Sequence, residues 1–273
     1  MLTLMVVATG RPGDPASDKA ADAMLASFSH PSIDHLVERR VVHLEGRMLQ
    51  AALEEEIREA SPSLVVIGSE HLAAGATSVG AAALGHASHA GALGAGGAAT
   101  TSLAMALVRL ALPVPLLVAK SSSVGEFFSA KWEVGSKAPP PPLRVALEAS
   151  TSSLSMLTWL MARLDPARDP LLVVRLDGLE KDGTEPMQTT RLLATFANEA
   201  AARGFGVSKH AMAEGHVAGL PPLVLQERVD LLAVAAPSSK VTPPHVLELL
   251  RSARTNVLVW RPAIKQGVQA LGA

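Results

Sequence analysis

The chain has 273 residues, of which 48% are hydrophobic and 3% aromatic, and its formal net charge is −1. A nearly neutral chain with few aromatic residues lacks the basic face and the stacking platforms that bind nucleic acid, so we expect no such partner. The absence of cysteine excludes disulfides and thiolate ligands and favours a cytoplasmic location. Neither a signal peptide nor membrane insertion is expected, because the charge-free stretch 71–108 consists largely of Ala, Gly, Ser and Thr.

The first half of the chain alternates predicted strands and helices. The apolar run LTLMVVATG, from Leu2, predicts a buried strand, and SLVVIGS (63–69) and PVPLLVAK (113–120) predict two more. Between them, RMLQAALEEEIREA places Leu49, Leu53 and Ile57 on one face of an amphipathic helix. Strands built almost entirely of Val and Leu and separated by helices indicate a parallel sheet that is buried on both faces.

The second half repeats this alternation with five predicted strands. They begin near Leu143, Leu171, Phe205, Leu231 and Asn256. The helix predicted over 152–164 has one apolar face and a choice of serine N-caps before it. That face consists of Leu154, Leu157, Met161 and Leu164, and the caps lie between Ser150 and Ser153.

Proline marks two further helices of the second half. In VTPPHVLELLRSA (241–253), Thr242 is the predicted N-cap and Pro243 the first helical residue. Pro221 and Pro222 fall inside the predicted third helix, where proline interrupts the hydrogen-bond pattern. This interruption favours a second half that is free from the constraints of a ligand site.

The two halves are related by an internal repeat whose matches follow the same order along the chain. The difference in residue number is 167 for the pair Leu4 and Leu171, and 168 for LASF (25–28) and LATF (193–196). It is 169 for the two EG pairs (45–46 and 214–215) and returns to 167 for SLVVIGS (63–69) and DLLAVAA (230–236). PLLVAK (115–120) matches NVLVWR (256–261) at an offset of only 141, so the first module carries 26 more residues between these two strands. The pattern indicates a tandem duplication.

The offsets also assign the strands of each module. The first module lacks a counterpart of the strand and helix at 143–164 and therefore has four strands. In the alternative assignment, residues 5–25 are the first strand and helix, and the second strand is lost instead. The predicted domains are module 1 (1–120) with a Gly/Ala-rich insertion (70–99), a Pro-rich linker (121–142), module 2 (143–263) and a tail (264–273).

Several of these segments resemble one known family. RVALEASTSSLSMLTWLMARL (144–164) resembles the opening strand and helix of the universal stress proteins. SPSLVVIGS (61–69) and PVPLLVAK resemble their fourth and fifth strands, which VDLLAVAA (229–236) and RTNVLVWRP (254–262) repeat. The resemblance implies an α/β fold with two tandem, doubly wound parallel-sheet modules of the adenine nucleotide α-hydrolase-like kind. It also implies a regulatory or binding role in stress response. The sequence has no nucleophile-elbow motif G-x-S-x-G to support Ser/His/Asp catalysis, so we expect no enzyme and assign no catalytic residue.

The resemblance implies an ATP site between the end of the first strand and a glycine loop, G-x2-G-x9-G-[ST], that follows the fourth strand. Backbone N–H groups at a helix start suit phosphate because they are unpaired and lie at the positive end of the helix dipole. The candidates in module 1 are Gly68, Ser69, Gly94, Gly96, Gly97, Thr100, Thr101 and Ser102. Their spacing departs from the family's pattern, so a flexible Ala-rich filler, with Thr100 to Ser102 as a plain N-cap, is the alternative.

Module 2 holds the complementary part of such a site. Glu148 stands where the family has an acidic residue at the end of the first strand, but the loop APSSKVTPP (236–244) contains no glycine. Neither module alone is complete, so we expect weak ATP binding at module 1 and a structural role for module 2. His86 and His89 lack a third ligand nearby, and no metal site is predicted.

The fifth strands supply the expected interaction surface. In universal stress proteins this strand commonly forms the dimer, so Pro115–Lys120 and Asn256–Arg261 are expected to pair within one chain, or else to form a homodimer. Two other functions stay open. One is a dimerisation or interaction scaffold that binds no nucleotide, and the other is a fragment of a larger protein, such as the cytosolic regulatory region of a cation/proton antiporter.

Overall fold

The computed structural model describes twelve parts of the chain, which form two compact units. They are residues 2–8, 13–27, 37–43, 49–68, 107–108, 112, 114–120, 141–150, 152–176, 186–212, 219–236 and 242–261. The described elements up to residue 62 form the first unit, and those from residue 63 onward form the second. None of the described helices is long and apolar enough to cross a membrane.

The first unit contains two strands and two helices. In chain order they are β1 (Leu2–Ala8), α1 (Pro15–Ser27), β2 (Val37–His43) and α2 (Leu49–Ala60). β1 and β2 are parallel, with Leu2 opposite Val37 and Ala8 opposite His43. On α2, Leu53 and Ile57 are buried, as their spacing along the helix predicts.

The second unit is built on one seven-stranded sheet. Its elements are β3 (Val65–Gly68), β4 (Leu116–Ala119), β5 (Val145–Glu148), α3 (Leu154–Met161), β6 (Leu171–Leu176), α4 (Pro186–Ala202), β7 (Val207–Met212), α5 (Leu220–Gln226), β8 (Leu231–Ala235), α6 (Pro244–Ser252) and β9 (Asn256–Trp260). The strand order is β3-β4-β9-β8-β5-β6-β7, and all neighbours are parallel except β4 and β9.

Module 2 is a complete doubly wound sheet. β5 is its centre: β6 and β7 lie on one side, and β8 and β9 lie on the other. Residues 145 and 147 of β5 pack with α3 and α4 on one face, in a core that includes Leu157 and Phe196. Because β5 is covered on both faces and paired on both edges, all four of its residues are buried. The predicted fold class is confirmed.

The repeat is visible in the strand register. In module 1, Val65 lies opposite Leu116 and Gly68 opposite Ala119. In module 2, Leu232 lies opposite Val257 and Ala235 opposite Trp260. The sequence offset of 167 relates β3 to β8, and the offset of 141 relates β4 to β9. The same two offsets convert each pair of module 1 into a pair of module 2, so the two ladders are equivalent residue by residue.

β1 and β2 are the counterparts of β6 and β7, not of β5. Leu4 lies opposite Arg39, and the equivalent pair is Leu171 opposite Val207. The offset is 167 for the first member of each pair and 168 for the second. In the alternative assignment, with residues 5–25 as the first strand and helix and the second strand lost, β1 and β2 would be the counterparts of β5 and β7, which are not neighbours. The pairing of β1 with β2 therefore favours the first assignment, and the segment that module 1 lacks stays a prediction.

The two ladders meet at β4 and β9, which run antiparallel. Leu117 lies opposite Leu258, and these two residues are each other's counterparts at the offset of 141. A pair of equivalent residues facing each other marks a local twofold axis, as in an isologous dimer interface. The segments for which the sequence predicted pairing within one chain thus form adjacent strands of one sheet.

The twofold relation extends to two buried cations that follow these strands. The Lys120 ammonium donates to the carbonyl of Leu250 near the end of α6, and the Arg261 guanidinium donates to the carbonyl of Val108 at 3.0 Å. Burial lowers the pKa of both groups. Lys120 and Arg261 are equivalent at the offset of 141, so each module's cation binds a helical carbonyl of the other module.

Three details of the predicted helices are wrong. Leu154 is exposed because it opens α3, whose buried residues are Met156, Leu157, Leu160 and Met161. Thr242 does not cap α6, which begins at Pro244, because its hydroxyl donates instead to the carbonyl of Val108 at 2.7 Å. Pro221 and Pro222 lie in the first turn of α5, where the N–H groups they lack have no helical partner. They therefore give no argument about a ligand site.

Candidate functional site

The carboxyl end of β5 is the edge of module 2 at which a ligand is expected, and it is called the ligand edge below. Here the strand order reverses, because the chain runs from β5 to β6 and β7 on one side and returns to β8 and β9 on the other. In open α/β sheets, ligands bind in the crevice at such a switch point. The residues that decide the chemistry at this edge are therefore those of the turn from β5 to α3 and the end of β8.

The turn from β5 to α3 is held by its own hydroxyl groups. The backbone N–H of Ser150 donates to Ser153 Oγ at 2.7 Å, and the same hydroxyl donates to the carbonyl of Ser150 at 2.9 Å. Ser153 occupies the N-cap position of α3, but its side chain makes no capping bond to the helix. Ser150 Oγ lies 3.1 Å from Ser152 Oγ. These hydroxyl groups are thus engaged within the turn.

A buried arginine supports this turn from the next strand. Arg175 in β6 is buried, and its Nη1 donates to the carbonyl of Ala149 at 3.0 Å. Glu148, the predicted acidic residue of the site, is also buried, at the last position of β5. The sequence analysis missed Arg175, although a charged residue within the apolar run LLVVRL was a signal, since buried charges need polar partners.

The end of β8 is bordered by an aromatic pair. The backbone N–H of Ala236 donates to the carbonyl of Trp260 at 2.7 Å, and Trp260 Nε1 donates to Ser155 Oγ at 3.1 Å. The ring centroids of Trp260 and Trp159 lie 5.5 Å apart. Arg163 Cζ lies 3.9 Å from the centroid of the Trp159 ring. Ala236, Trp260 and Ser155 are thus linked by hydrogen bonds, and ring contacts extend this group to Trp159 and Arg163.

The corresponding edge of module 1 begins at Gly68. This residue ends β3 and is the counterpart of Ala235, so module 1 has a glycine where module 2 has a side chain. Glycine permits close approach of a ligand to the backbone. The other predicted site residues lie outside the described residues; they are Ser69, Gly94, Gly96, Gly97, Thr100, Thr101 and Ser102. The structure therefore locates one of the eight candidates, and the rest of the predicted site stays a prediction.

Metal ligation finds no support in the described part of the chain. No group of three or more His, Asp or Glu side chains there is close enough to hold an ion. His86 and His89 lie outside the described residues.

Comparison with known proteins identifies the fold. No family model and no curated protein matches the chain. A universal stress protein structure from Archaeoglobus fulgidus is similar over 96% of this chain and 86% of its own, with a TM-score of 0.58 and 11% identity. Two Pseudomonas aeruginosa structures also cover 96% of the chain at 12% identity. One is assigned to the universal stress proteins (83% of its own chain, TM-score 0.53), and the other is a protein of unknown function (82%, TM-score 0.50). The chain has the universal stress protein fold, and the resemblance seen in the sequence is confirmed at the level of the fold.

Proposed function

We propose that the chain is a cytoplasmic regulatory protein of the universal stress protein kind, which catalyses no reaction and binds an adenine nucleotide at module 1. The observation that carries this proposal is the contrast between the equivalent positions Gly68 and Ala235. Both end the fourth strand of a module at the ligand edge, but only Gly68 leads into a chain segment rich in glycine and hydroxyl residues.

The two modules differ in the chemistry they offer a phosphate. At module 2 the serine hydroxyls of the β5–α3 turn bond to one another and to the backbone, so a ligand would have to displace these bonds. At module 1 the candidates Gly94, Gly96 and Gly97 offer backbone N–H groups, and Thr100 to Ser102 offer hydroxyls. Such groups bind anions by donating hydrogen bonds to the phosphate oxygens.

Calorimetric titration of ATP into the full chain, with and without Mg²⁺, tests the proposal. We expect one-to-one binding that is lost in the variants Gly96→Ala/Gly97→Ala and Thr100→Ala/Thr101→Ala/Ser102→Ala. The matched control is Ser238→Ala/Ser239→Ala in the loop that follows β8, which should leave binding unchanged. Absence of heat up to millimolar ATP would contradict the proposal, as would binding that depends on Ser238 and Ser239 and not on the glycines.

A scaffold function is favoured by one separate observation. Strands of both modules form a single sheet through β4 and β9, and among the described strands β3 is the outermost on the module 1 side. A sheet edge is a surface on which another polypeptide can pair. This function does not require nucleotide and would persist if the titration gave no heat.

A further inference from the structure

β3 is much less covered than its counterpart β8. Val66 has 56% of its surface exposed, whereas the equivalent Ala233 has none. Val65 and Ile67 are partly exposed, whereas Leu232 and Val234 are fully buried. The two strands pair with β4 and β9 in the same register, so the difference arises from what lies on their other sides.

Module 2 shows what covers this position. β5 runs parallel to β8 along its second edge, with Val145 opposite Leu231 and Leu147 opposite Ala233. α3 follows β5 and packs over the same face of the sheet, where Leu157 joins the core that contains Ala233. Leu64 and Leu117 also pack against this core. Val66 is two residues after Leu64 and therefore lies on the same face of the sheet.

The two outer strands of the sheet are protected differently. β7, at one end, exposes Ser208, Lys209 and His210, and charged side chains on an edge discourage pairing with other chains. β3, at the other end, is VVIG, and residues 61–68 contain no charged side chain. An uncharged edge beside an exposed valine is suited to bind an apolar strand.

We propose that the outer edge of β3 and the face around Val66 bind a strand–helix segment of a partner polypeptide. The segment has the pattern of residues 143–164: a largely apolar strand parallel to β3, a hydroxyl-rich turn, and an amphipathic helix whose apolar face packs on Val66. The occupant would continue the existing sheet beyond β3, just as β5 continues it beyond β8. This surface adjoins the proposed nucleotide site at Gly68, but its proposal is carried by the exposure of β3 and not by nucleotide binding.

A second copy of the chain fits this surface less well. Two copies related by a twofold axis would pair their β3 strands antiparallel, because an isologous interface places the same residues on both sides. The counterpart strand β8 instead receives a parallel neighbour. The chain's own β5 is already paired with β6 and β8, so a second copy could donate it only by unfolding its module 2.

A synthetic peptide with the sequence of residues 143–164 and a fluorescent label is the probe. Titrated with the full chain, it should show a saturable, one-to-one rise in anisotropy. The variant Val66→Lys should weaken binding by about tenfold or more, because the helix would bury a charge. Leu225→Lys is the matched control: Leu225 is an exposed hydrophobic residue on α5, 66% exposed, and its change should leave binding unaltered. A peptide carrying Leu157→Asp should not bind.

Three outcomes would overturn the proposal. The first is a peptide that does not bind, and the second is equal binding to the parent chain and to Val66→Lys. The third is self-association of the chain in sedimentation that Val66→Lys abolishes, because the occupant would then be a second copy. Circular dichroism of Val66→Lys checks that the exposed substitution leaves the fold intact.

Discussion

The fourth strands of the two modules, β8 and β3, pair with their fifth strands in the same register but differ in burial along their length. In β8, four of the five residues are buried, because β5 occupies its second edge and α3 its face. In β3, Val66 is exposed, and among the described residues β4 is the only paired neighbour. Among the described residues, the segment β5–α3 covers β8, and no equivalent segment pairs with β3.

The largest expected effect is the loss of packing at β5. Leu147 is fully buried between two strands and beneath α3, so Leu147→Ala should lower the free energy of unfolding by about 2–5 kcal/mol. Urea denaturation followed by circular dichroism measures this change. Leu225→Ala, at an exposed position on α5, should stay within about 0.5 kcal/mol of the parent chain. Similar losses for the two variants would contradict a core centred on β5.

Exchanging the equivalent residues of β8 and β3 gives a smaller effect and a sharper comparison. Ala233→Val adds two methyl groups beneath α3 at a fully buried position, and overpacking of this kind costs about 1–3 kcal/mol. Val66→Ala makes the reverse change at an exposed position and should cost less than about 0.5 kcal/mol.

Both exchange variants are measured by the same denaturation experiment. A loss at Val66→Ala as large as that at Ala233→Val would mean that β3 is covered in solution by a segment outside the described residues. The comparison between the two fourth strands would then fail.

The strands were predictable because their apolar runs and their repeat are local properties of the sequence. The predicted starts of β6, β8 and β9 agree with the structure, and the offsets of 167 and 141 relate the strand register of one module to that of the other. These features follow from residue pattern and need no knowledge of distant contacts.

Side-chain partners were less predictable because they depend on residues far away in the chain. Thr242 has the sequence position of an N-cap, but its hydroxyl bonds to Val108, 134 residues earlier. Arg175 binds a carbonyl in a turn 26 residues away. At the candidate nucleotide site, sequence and structure share only Gly68, so the glycine loop remains a prediction for the titration to test.

The smallest expected effect concerns the residues that precede β8 and β3. Asp230 is buried before β8 and accepts a hydrogen bond from the Arg144 N–H, at the start of β5, at 2.8 Å. Its equivalent at the offset of 167 is Ser63, which is exposed. Burial raises the pKa of Asp230, and the Arg144 N–H and charge offset only part of this rise. The carboxylate is thus a feature of the module that contains β5.

Because the pKa of Asp230 is higher in the folded chain, its protonated form is the one that folding favours. Its contribution to stability is complete below the ordinary value of 3.8 and is lost as the pH rises through the raised pKa. Asp230→Asn keeps an acceptor for Arg144 and cannot ionise. The melting temperature of this variant, relative to the parent chain, should therefore increase as the pH rises above 3.8.

Asp169, which precedes β6, is the matched control because its pKa is shifted in the opposite direction from that of Asp230. Burial alone would raise its pKa, but hydrogen bonds from the N–H groups of Leu143 and Asp165 and from Arg168 outweigh burial and lower it. Its stabilisation is present above the ordinary value of 3.8 and is lost as the pH falls through the lowered pKa. Asp169→Asn should therefore be most destabilising at neutral pH. If the melting temperatures of both variants, relative to the parent chain, changed with pH in the same direction, burial would not govern the pKa of Asp230.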